Sequence, residues 1–397
     1  MRNANQQKHE INEYPLVSAI IPAFNAQYYI ETTVQSICGQ SYSNIEIIVV
    51  DDGSTDETTS IIEQLSKKDK RIRLCRQANQ GLASARNLGI RHSKGDFIAP
   101  VDADDVCYPT KIENLLGCMA KTDKQVGLAY SWSTRIDEKG NIIGKGRQSQ
   151  EKGDVFGALL FTNFIGNGSA CMIRKSCLDN VGLYDTAFFE HDAQGCEDWD
   201  LYMRIAEKFK FEVVNDYLTM YRKTATGMSN NYFNMEKSKR LALQKLKTRN
   251  PWIPDRVICL SNAYYLIWLS NIALQNECFF DSYKLYLKAG NFDPALFSDK
   301  TYLVFLMKRL LKSIRPVRAL HSRYNRAVVQ SNQCNHRPNT SNRYSLKKLD
   351  PNGRRANHHT SYFHLWGKRY EEVIKVVEKE REKHFASTEI IPPNTHL

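Results

Sequence analysis

The sequence predicts an α/β protein: a doubly wound, mostly parallel sheet in the first half of the chain, followed by an α-helical C-terminal region. Three observations carry this reading. Short β-branched runs alternate with amphipathic helical segments near the start of the chain. Three of those runs end in polar punctuation, at Pro22-Ala23-Phe24-Asn25, Asp51-Asp52-Gly53-Ser54 and Asp102-Ala103-Asp104-Asp105. Beyond Asn230 the strand signals give way to helical periodicity.

Val17–Ile21, ended by Pro22, reads as a buried strand. From Tyr28 to Cys38, the residues Ile30, Val34, Ile37 and Cys38 share one helical face. Ile45–Val50 is the near-continuous apolar run of a parallel strand covered on both faces. Ser54-Thr55-Asp56-Glu57 has the spacing of a capping box, opening a helix that buries Ile61, Ile62 and Leu65. A strand at Ile72–Cys75, a helix from Gly81 to His92 and a strand at Phe97–Val101 complete the alternation, and Pro109 opens a further helix. In such sheets the ligand lies beyond the carboxyl ends of the strands, where the three polar segments fall.

From Val126 to Met228 strands and helices mix, with a hairpin turn at Glu138-Lys139-Gly140-Asn141, a short strand at Ala170–Ile173 and a helix at Glu197–Lys208. Helices follow at Met235–Lys247, Arg256–Gln275, Cys278–Ala289 and Thr301–Ser313. Ser331–Thr360 is polar, basic and irregular, and Tyr370–Phe385 closes the chain as an amphipathic helix. The expected organisation is a polar extension (1–15), an α/β domain (16–230, in halves 16–125 and 126–230), a helical region (231–330) and a basic, partly irregular tail with a terminal helix (331–397).

The composition, 42% hydrophobic and 25% charged over 397 residues, excludes disorder for most of the chain. The net charge of +12 is concentrated: Lys308–Arg369 holds about fifteen Lys and Arg against one acid, Asp350. An anionic membrane surface is the expected partner of this stretch. Nucleic acid would satisfy the charge but finds no recognisable binding motif here, so it is not expected. Ten cysteines without a C-x-x-C pair, and a polar N-terminus without a signal-peptide core, point to the cytoplasm. The uncharged stretch Val257–Asn276 contains Ser261, Asn262, Ser270, Asn271, Gln275 and Asn276, and is expected to be a buried helix rather than a membrane span.

No G-x-G-x-x-G follows an early strand; Gly144-x-Gly146 lies in a hairpin and lacks the third glycine. Phosphate is therefore expected to be held through a divalent cation at the acidic strand ends. Asp102 and Asp104 flank Ala103, so an extended backbone would point both carboxylates the same way, towards Mg²⁺ or Mn²⁺. Asp51 and Asp52 can accept hydrogen bonds from a base N–H or a ribose hydroxyl; Asp-Asp-Gly-Ser is also good turn and N-cap chemistry, and both readings stand. Glu197, Asp198 and Asp200 sit at the start of a helix, where carboxylates are stabilised as anions. Asp200 reads as a capping residue and Asp198 as a general base.

The ordered segments VSAIIPAFNAQYYIETTVQSICGQSY, IEIIVVDDGSTDET, GLASARNLGIRHSKGDFIAPVDADD, GNGSACMIRKSCLDNVGLYD and CEDWDLYMRIA resemble the family-2 glycosyltransferases, from Leu16 to Ser229. The resemblance implies a Rossmann-like A-type glycosyltransferase domain, with residues 16–125 binding nucleotide and 126–230 facing the acceptor. It implies transfer of a sugar from a nucleotide-diphosphate sugar, usually a uridine one, to an acceptor hydroxyl with inversion. Position by position, Pro22, Phe24 and Asn25 match a nucleotide-contacting loop. Asp52, with Asp51 beside it, matches the carboxylate that meets the base, and Arg86 lies in the segment facing the donor. Asp102 and Asp104 match the metal motif, Asp198 the catalytic base and Glu197 an acceptor contact. Two departures stand out. Thr224 occupies the position where many relatives carry a histidine, leaving Arg222, Lys223 or Ser229 as substitutes. The Q-x-x-R-W motif of processive synthases is absent, so a distributive enzyme in cell-surface glycan assembly is expected, with a glycan or lipid-linked acceptor at the inner face of the membrane. The competing reading is a non-catalytic protein of the same fold that binds lipid or nucleic acid through its basic tail. The presence of Asp52, Asp102, Asp104 and Asp198 together argues against it.

Overall fold

The computed structural model describes residues 14–313, except 121, 123–124 and 225–226, together with residues 360–388. The expected irregular segment Ser331–Thr360 and most of the basic stretch lie outside the described residues. The chain forms two compact units, Met1–Pro254 with Val377–Leu397, and Asp255–Val376.

The first unit opens with the expected alternation: β1 (Val17–Ala23), α1 (Ile30–Cys38), β2 (Ile45–Asp51), α2 (Thr58–Lys68), β3 (Ile72–Arg76), α3 (Leu82–His92) and β4 (Phe97–Pro100). These four strands pair in parallel in the order β3-β2-β1-β4. β1 and β2 are buried along their whole length, which is why their sequences are continuous apolar runs. Ile21, Val34, Ile47, Ile62, Leu115 and Met172 belong to one core on this sheet. Glu46, the charge near the start of β2, is accommodated because Ser18 Oγ donates to it at 2.6 Å and Arg73 pairs with it at 3.1 Å.

β5 (Val106–Cys107), α4 (Lys111–Ala120), β6 (Val126–Ile136), β7 (Ile142–Lys145) and α5 (Phe156–Phe161) follow. Then come β8 (Cys171–Arg174), α6 (Lys175–Val181), α7 (Ala187–Glu190), α8 (Glu197–Ala206), β9 (Lys210–Arg222) and α9 (Tyr232–Arg249). Among the described residues nine strands make one sheet, ordered β3-β2-β1-β4-β8-β6-β9-β5 with β7 on β6. β8 joins β4 antiparallel and so couples the two halves of the domain. β9 pairs parallel to β6, but Ser131 faces Val214 and Trp132 faces Tyr217, so Asn215 and Asp216 are looped out of register. That bulge breaks the alternation by which a strand is read from sequence.

Two local expectations are corrected. The capping box does not form: α2 begins at Thr58, because Ser54 is engaged elsewhere, its Oγ accepting from Asn25 N–H at 3.0 Å and its N–H donating to Asp51 at 2.9 Å. Asp102–Asp105 is not extended but a turn, closed by Asp105 N–H on the Asp102 carbonyl at 3.0 Å. Asp102 and Asp104 therefore do not share a direction by strand alternation.

The second unit contains α10 (Asp255–Gln275), α11 (Phe279–Phe292), α12 (residues 300–313) and the first part of α13 (Thr360–Thr388), which is longer than the expected terminal helix. Among the described residues α10 is the one helix long and apolar enough to cross a membrane by length and composition. It buries Leu260, Ala263, Leu266, Ile267, Leu269 and Ala273, and Ser270 Oγ donates to the Ser282 carbonyl of α11 at 2.7 Å. Asp293 is fully buried and neutralised by Arg256 and Arg369, each at 3.1 Å.

Candidate active site

The ends of β1 and β2 are stitched together. Asn25 lies in the left-handed region at φ +49°, a conformation asparagine tolerates better than most residues. Its side chain accepts from Thr55 N–H at 2.9 Å, and Phe24 beside it is exposed. Pro22 lies within β1, in register with Val50. Asp51 and Asp52 are both buried. Burial opposes the charge of Asp51, but hydrogen bonds from Thr59 and Ser54, with Arg76 nearby, outweigh it and hold its pKa below the usual value. Asp52 accepts from Gln77 Nε2 at 2.6 Å, Gln80 N–H at 3.0 Å and Gly81 N–H at 2.9 Å, so it fixes the loop entering α3. Gly53, between these loops, has φ +82°, and a Cβ there would meet Asn79 N at 2.9 Å.

α3 then delivers Arg86 to the middle of the site. Its guanidinium is buried, donates to Asp102 at 2.5 Å and stands 5.1 Å from the centre of the Tyr184 ring. Asn87 holds Tyr184 in place through a reciprocal pair of bonds with its backbone, at 2.7 and 2.9 Å. Burial disfavours the Arg86 cation, and the surrounding Asp102, Tyr184 and Asp198 more than compensate. Gly168 packs directly on this pair; a Cβ there would come within 2.6 Å of Arg86 Nη2.

The turn after β4 is held from three sides. Ser169 Oγ accepts from Asp102 N–H at 2.9 Å and donates to Asp105 at 2.5 Å. Thr33 Oγ1 donates to the carbonyls of Ala103 and Asp105, both at 2.8 Å. Arg222 N–H donates to Asp105 at 2.9 Å, and its Nε to the Asp104 carbonyl at 2.7 Å. Lys111, fully buried, donates to the Ser169 carbonyl. The remaining carboxylate, Asp104, makes no ion pair among the described residues and is met by its own backbone N–H. Burial and the adjacent Asp102 push its pKa up to about 6. Such a carboxylate gains by meeting a cation. No group of three or more His, Cys, Asp or Glu among the described residues forms a metal cage. The oxygens of Asp104 and Asp102 suit a hard divalent ion whose other ligands come from substrate and water.

On the opposite side, Asp198 projects from the first turn of α8, where its carboxylate accepts from Trp199 N–H at 2.6 Å. Burial raises its pKa to about 6 against the pull of Arg86, and Asp102 is close enough to raise it further. Arg86 is thus the shared counter-ion of Asp102 and Asp198. Glu197 is more deeply enclosed: it is 2% exposed, its carboxylate accepts from Gly195 N–H at 2.8 Å, and burial lifts its pKa to about 7. Asp200, expected to cap the helix, is instead fully buried in an ion pair with Arg204 at 2.8 Å and Arg249 at 3.5 Å.

Of the candidates for the missing histidine, Arg222 is committed to structure, donating to the carbonyls of Asp104, Asp137 and Glu138. Lys223 is half-buried, donates to Ser229 Oγ at 3.0 Å, and feels Asp104 and Asp105. Burial and Arg135 lower its pKa from the ordinary lysine value. Sequence reasoning missed Ser169, Thr33 and Lys111. Only Lys111 left a trace, as a lysine next to Ile112 on the apolar face of α4.

Residues 18–182 match the family described as Glycosyl transferase family 2. An uncharacterised glycosyltransferase of Haemophilus influenzae is 31% identical over 244 residues, covering 59% of this chain and 73% of that protein. Chondroitin synthase of Escherichia coli is 30% identical over 209 residues, covering 52% of this chain but 28% of the synthase. Among solved structures, S. aureus TarS matches with a TM-score of 0.51 at 16% identity, covering 79% of this chain and 92% of that one, and a second structure of it is in complex with UDP. The fold is that of these glycosyltransferases. With the Haemophilus protein covered over most of its length, and a site assembled on the strand ends of the matched region, the chain belongs to glycosyl transferase family 2.

Proposed function

We propose that this glycosyltransferase moves one sugar at a time from a uridine-diphosphate sugar to an acceptor hydroxyl with inversion, in cell-surface glycan assembly. The observation that carries the reading is Arg86, buried between Asp102 on the nucleotide half and Asp198 on the acceptor half. Pro22, Phe24, Asn25 and Asp52 frame the nucleotide. A divalent cation held by Asp104 and Asp102 would neutralise charge on the leaving diphosphate.

Asp198 takes the proton of the acceptor hydroxyl as its oxygen bonds to the anomeric carbon, and the bond from that carbon to the diphosphate oxygen breaks. A base must be ionised at the working pH. Asp198, near pKa 6, meets this better than Glu197, near 7. Arg86 pulls the Asp198 pKa down against burial, and its direct bond goes to Asp102 instead. One displacement with no covalent nucleophile gives inversion. The free thiols of the nine described cysteines support a reducing, cytoplasmic setting.

The reading is tested by incubating the protein with a panel of nucleotide sugars and Mn²⁺, and following release of nucleoside diphosphate. Release from a uridine donor, abolished by excess EDTA, is the expected result. Undiminished release in EDTA would remove the cation, and no release from any donor would remove the activity.

A further inference from the structure

α12 presents two apolar faces, and only one of them faces inward. Tyr302, Leu306 and Arg309 are buried. The Tyr302 ring stacks on Tyr286 of α11 at 4.4 Å, and Arg309 donates to Ser270 Oγ at 2.9 Å and Asn271 at 2.5 Å. Arg309, basic in sequence, is therefore consumed inside the unit. The other face exposes Leu303 (38%), Val304 (51%), Met307 (51%) and Leu311 (56%). At the helical repeat these four fall within an arc of about 100°, and from 303 to 311 the stripe runs roughly 12 Å along the axis.

Charge accompanies the stripe along one edge. Lys308 and Lys312 each follow an exposed apolar residue, Met307 and Leu311, by one position, and both are exposed. The Lys312 ammonium lies 5.7 Å from the ring centre of Phe279 on α11, and the next residue, Phe280, is 57% exposed with Lys284 at 4.3 Å from its ring. No acidic side chain occurs between Lys300 and Ser313, and the sequence from 314 to 359 adds about ten Lys and Arg against Asp350 alone. Exposed apolar groups edged by charge of one sign fit a surface that is greasy below and anionic above.

We propose that α12 docks the protein on an anionic lipid surface. Leu303, Val304, Met307 and Leu311 enter the boundary between headgroups and acyl chains, and Lys308 and Lys312 meet the phosphates. The helix lies flat on the surface, since its inward face is already occupied by α11. Apolar insertion and cationic attraction act together, as reversible membrane binding requires. This inference is independent of the chemistry proposed for the active site.

The experiment is co-sedimentation of the full chain with vesicles of phosphatidylcholine, and of phosphatidylcholine mixed with phosphatidylglycerol. The wild type is expected on the anionic vesicles and in the supernatant with neutral ones, with binding reduced but not abolished by high salt. Combining Leu303→Ser, Met307→Ser and Leu311→Ser should weaken binding about tenfold or more. Lys308→Glu with Lys312→Glu should weaken it as well and flatten its salt dependence. All five side chains are exposed, so the melting temperature and donor turnover without vesicles should stay at wild-type values. Wild-type binding by the triple serine variant would overturn the proposal, since the remaining basic sequence would then suffice. A wild type that ignores anionic vesicles would overturn it too. So would a wild type that is dimeric in solution while the serine variant is monomeric, because a second copy would then be the occupant.

Discussion

Arg86 is the residue on which the site's electrostatics turn. A buried guanidinium needs anions around it, and it finds Asp102 at 2.5 Å and Asp198 nearby. In return it restrains the pKa of Asp198, which burial alone would drive higher. The consequence is a pH dependence whose sign follows from the base being active only when deprotonated. Turnover should be constant above about pH 7 and fall about tenfold per pH unit below the Asp198 pKa, near 6. A kcat/KM profile that stays flat down to about pH 5 would contradict the assignment. Lys223 supplies a second residue-scale prediction. It feels Asp104, with Thr224 next in sequence, and its ammonium, steadied by Ser229 Oγ, is placed to meet a diphosphate at that carboxylate. Lys223→Met should raise the donor Kd about tenfold, as expected for one lost hydrogen bond to a charged group, and leave the melting temperature nearly unchanged. Calorimetric titration of donor into the variant measures it.

At the scale of elements, the turn Asp102–Asp105 works because α1, β9 and the segment before β8 each grip it, through Thr33, Arg222 and Ser169. Ser169→Ala leaves Asp105 with one partner fewer and orphans the Asp102 N–H. The cost should be about 1–3 kcal/mol, seen as a melting temperature lower by several degrees, with turnover reduced because Asp104 is no longer held in place. An unchanged melting curve would show that water replaces Ser169 at no cost. The sequence makes the carboxyl ends of β1, β2 and β4 legible, since buried parallel strands are written as β-branched runs and their polar ends stand out. Asp52, Asp102 and Asp104 could be found for that reason, and Asp198 because it stands in the acidic opening of a helix. The grip on the turn could not be found, because Thr33 and Ser169 look like any hydroxyl residue until the fold brings them within 3 Å of the loop. β9 was hidden by its bulge at Asn215 and Asp216, and the capping box misled because Ser54 and Asp51 serve the neighbouring loop. Asp200 shows the same limit: a carboxylate in a first helical turn reads as a cap unless Arg204 and Arg249 are known to be waiting for it.

For the whole molecule, the first unit divides labour between the halves of one sheet. The parallel half, β3-β2-β1-β4, carries the nucleotide loops and the turn with Asp104; the half added through β8 carries α8 with Asp198. Because β8 is hydrogen-bonded to β4 and β6, the two halves are rigidly registered, and Arg86 closes the gap between their carboxylates. The second unit contributes its own core and the exposed stripe of α12. This division predicts that donor binding and proton removal can be separated by single substitutions. The most direct measurement compares Asp198→Asn with the wild type in two readouts on the same preparation: donor affinity by titration, and transfer to acceptor by nucleoside diphosphate release. Asparagine keeps the shape but cannot take a proton, so transfer should fall by about 10²–10⁴ with donor affinity unchanged. Transfer at the wild-type rate by Asp198→Asn would contradict the account.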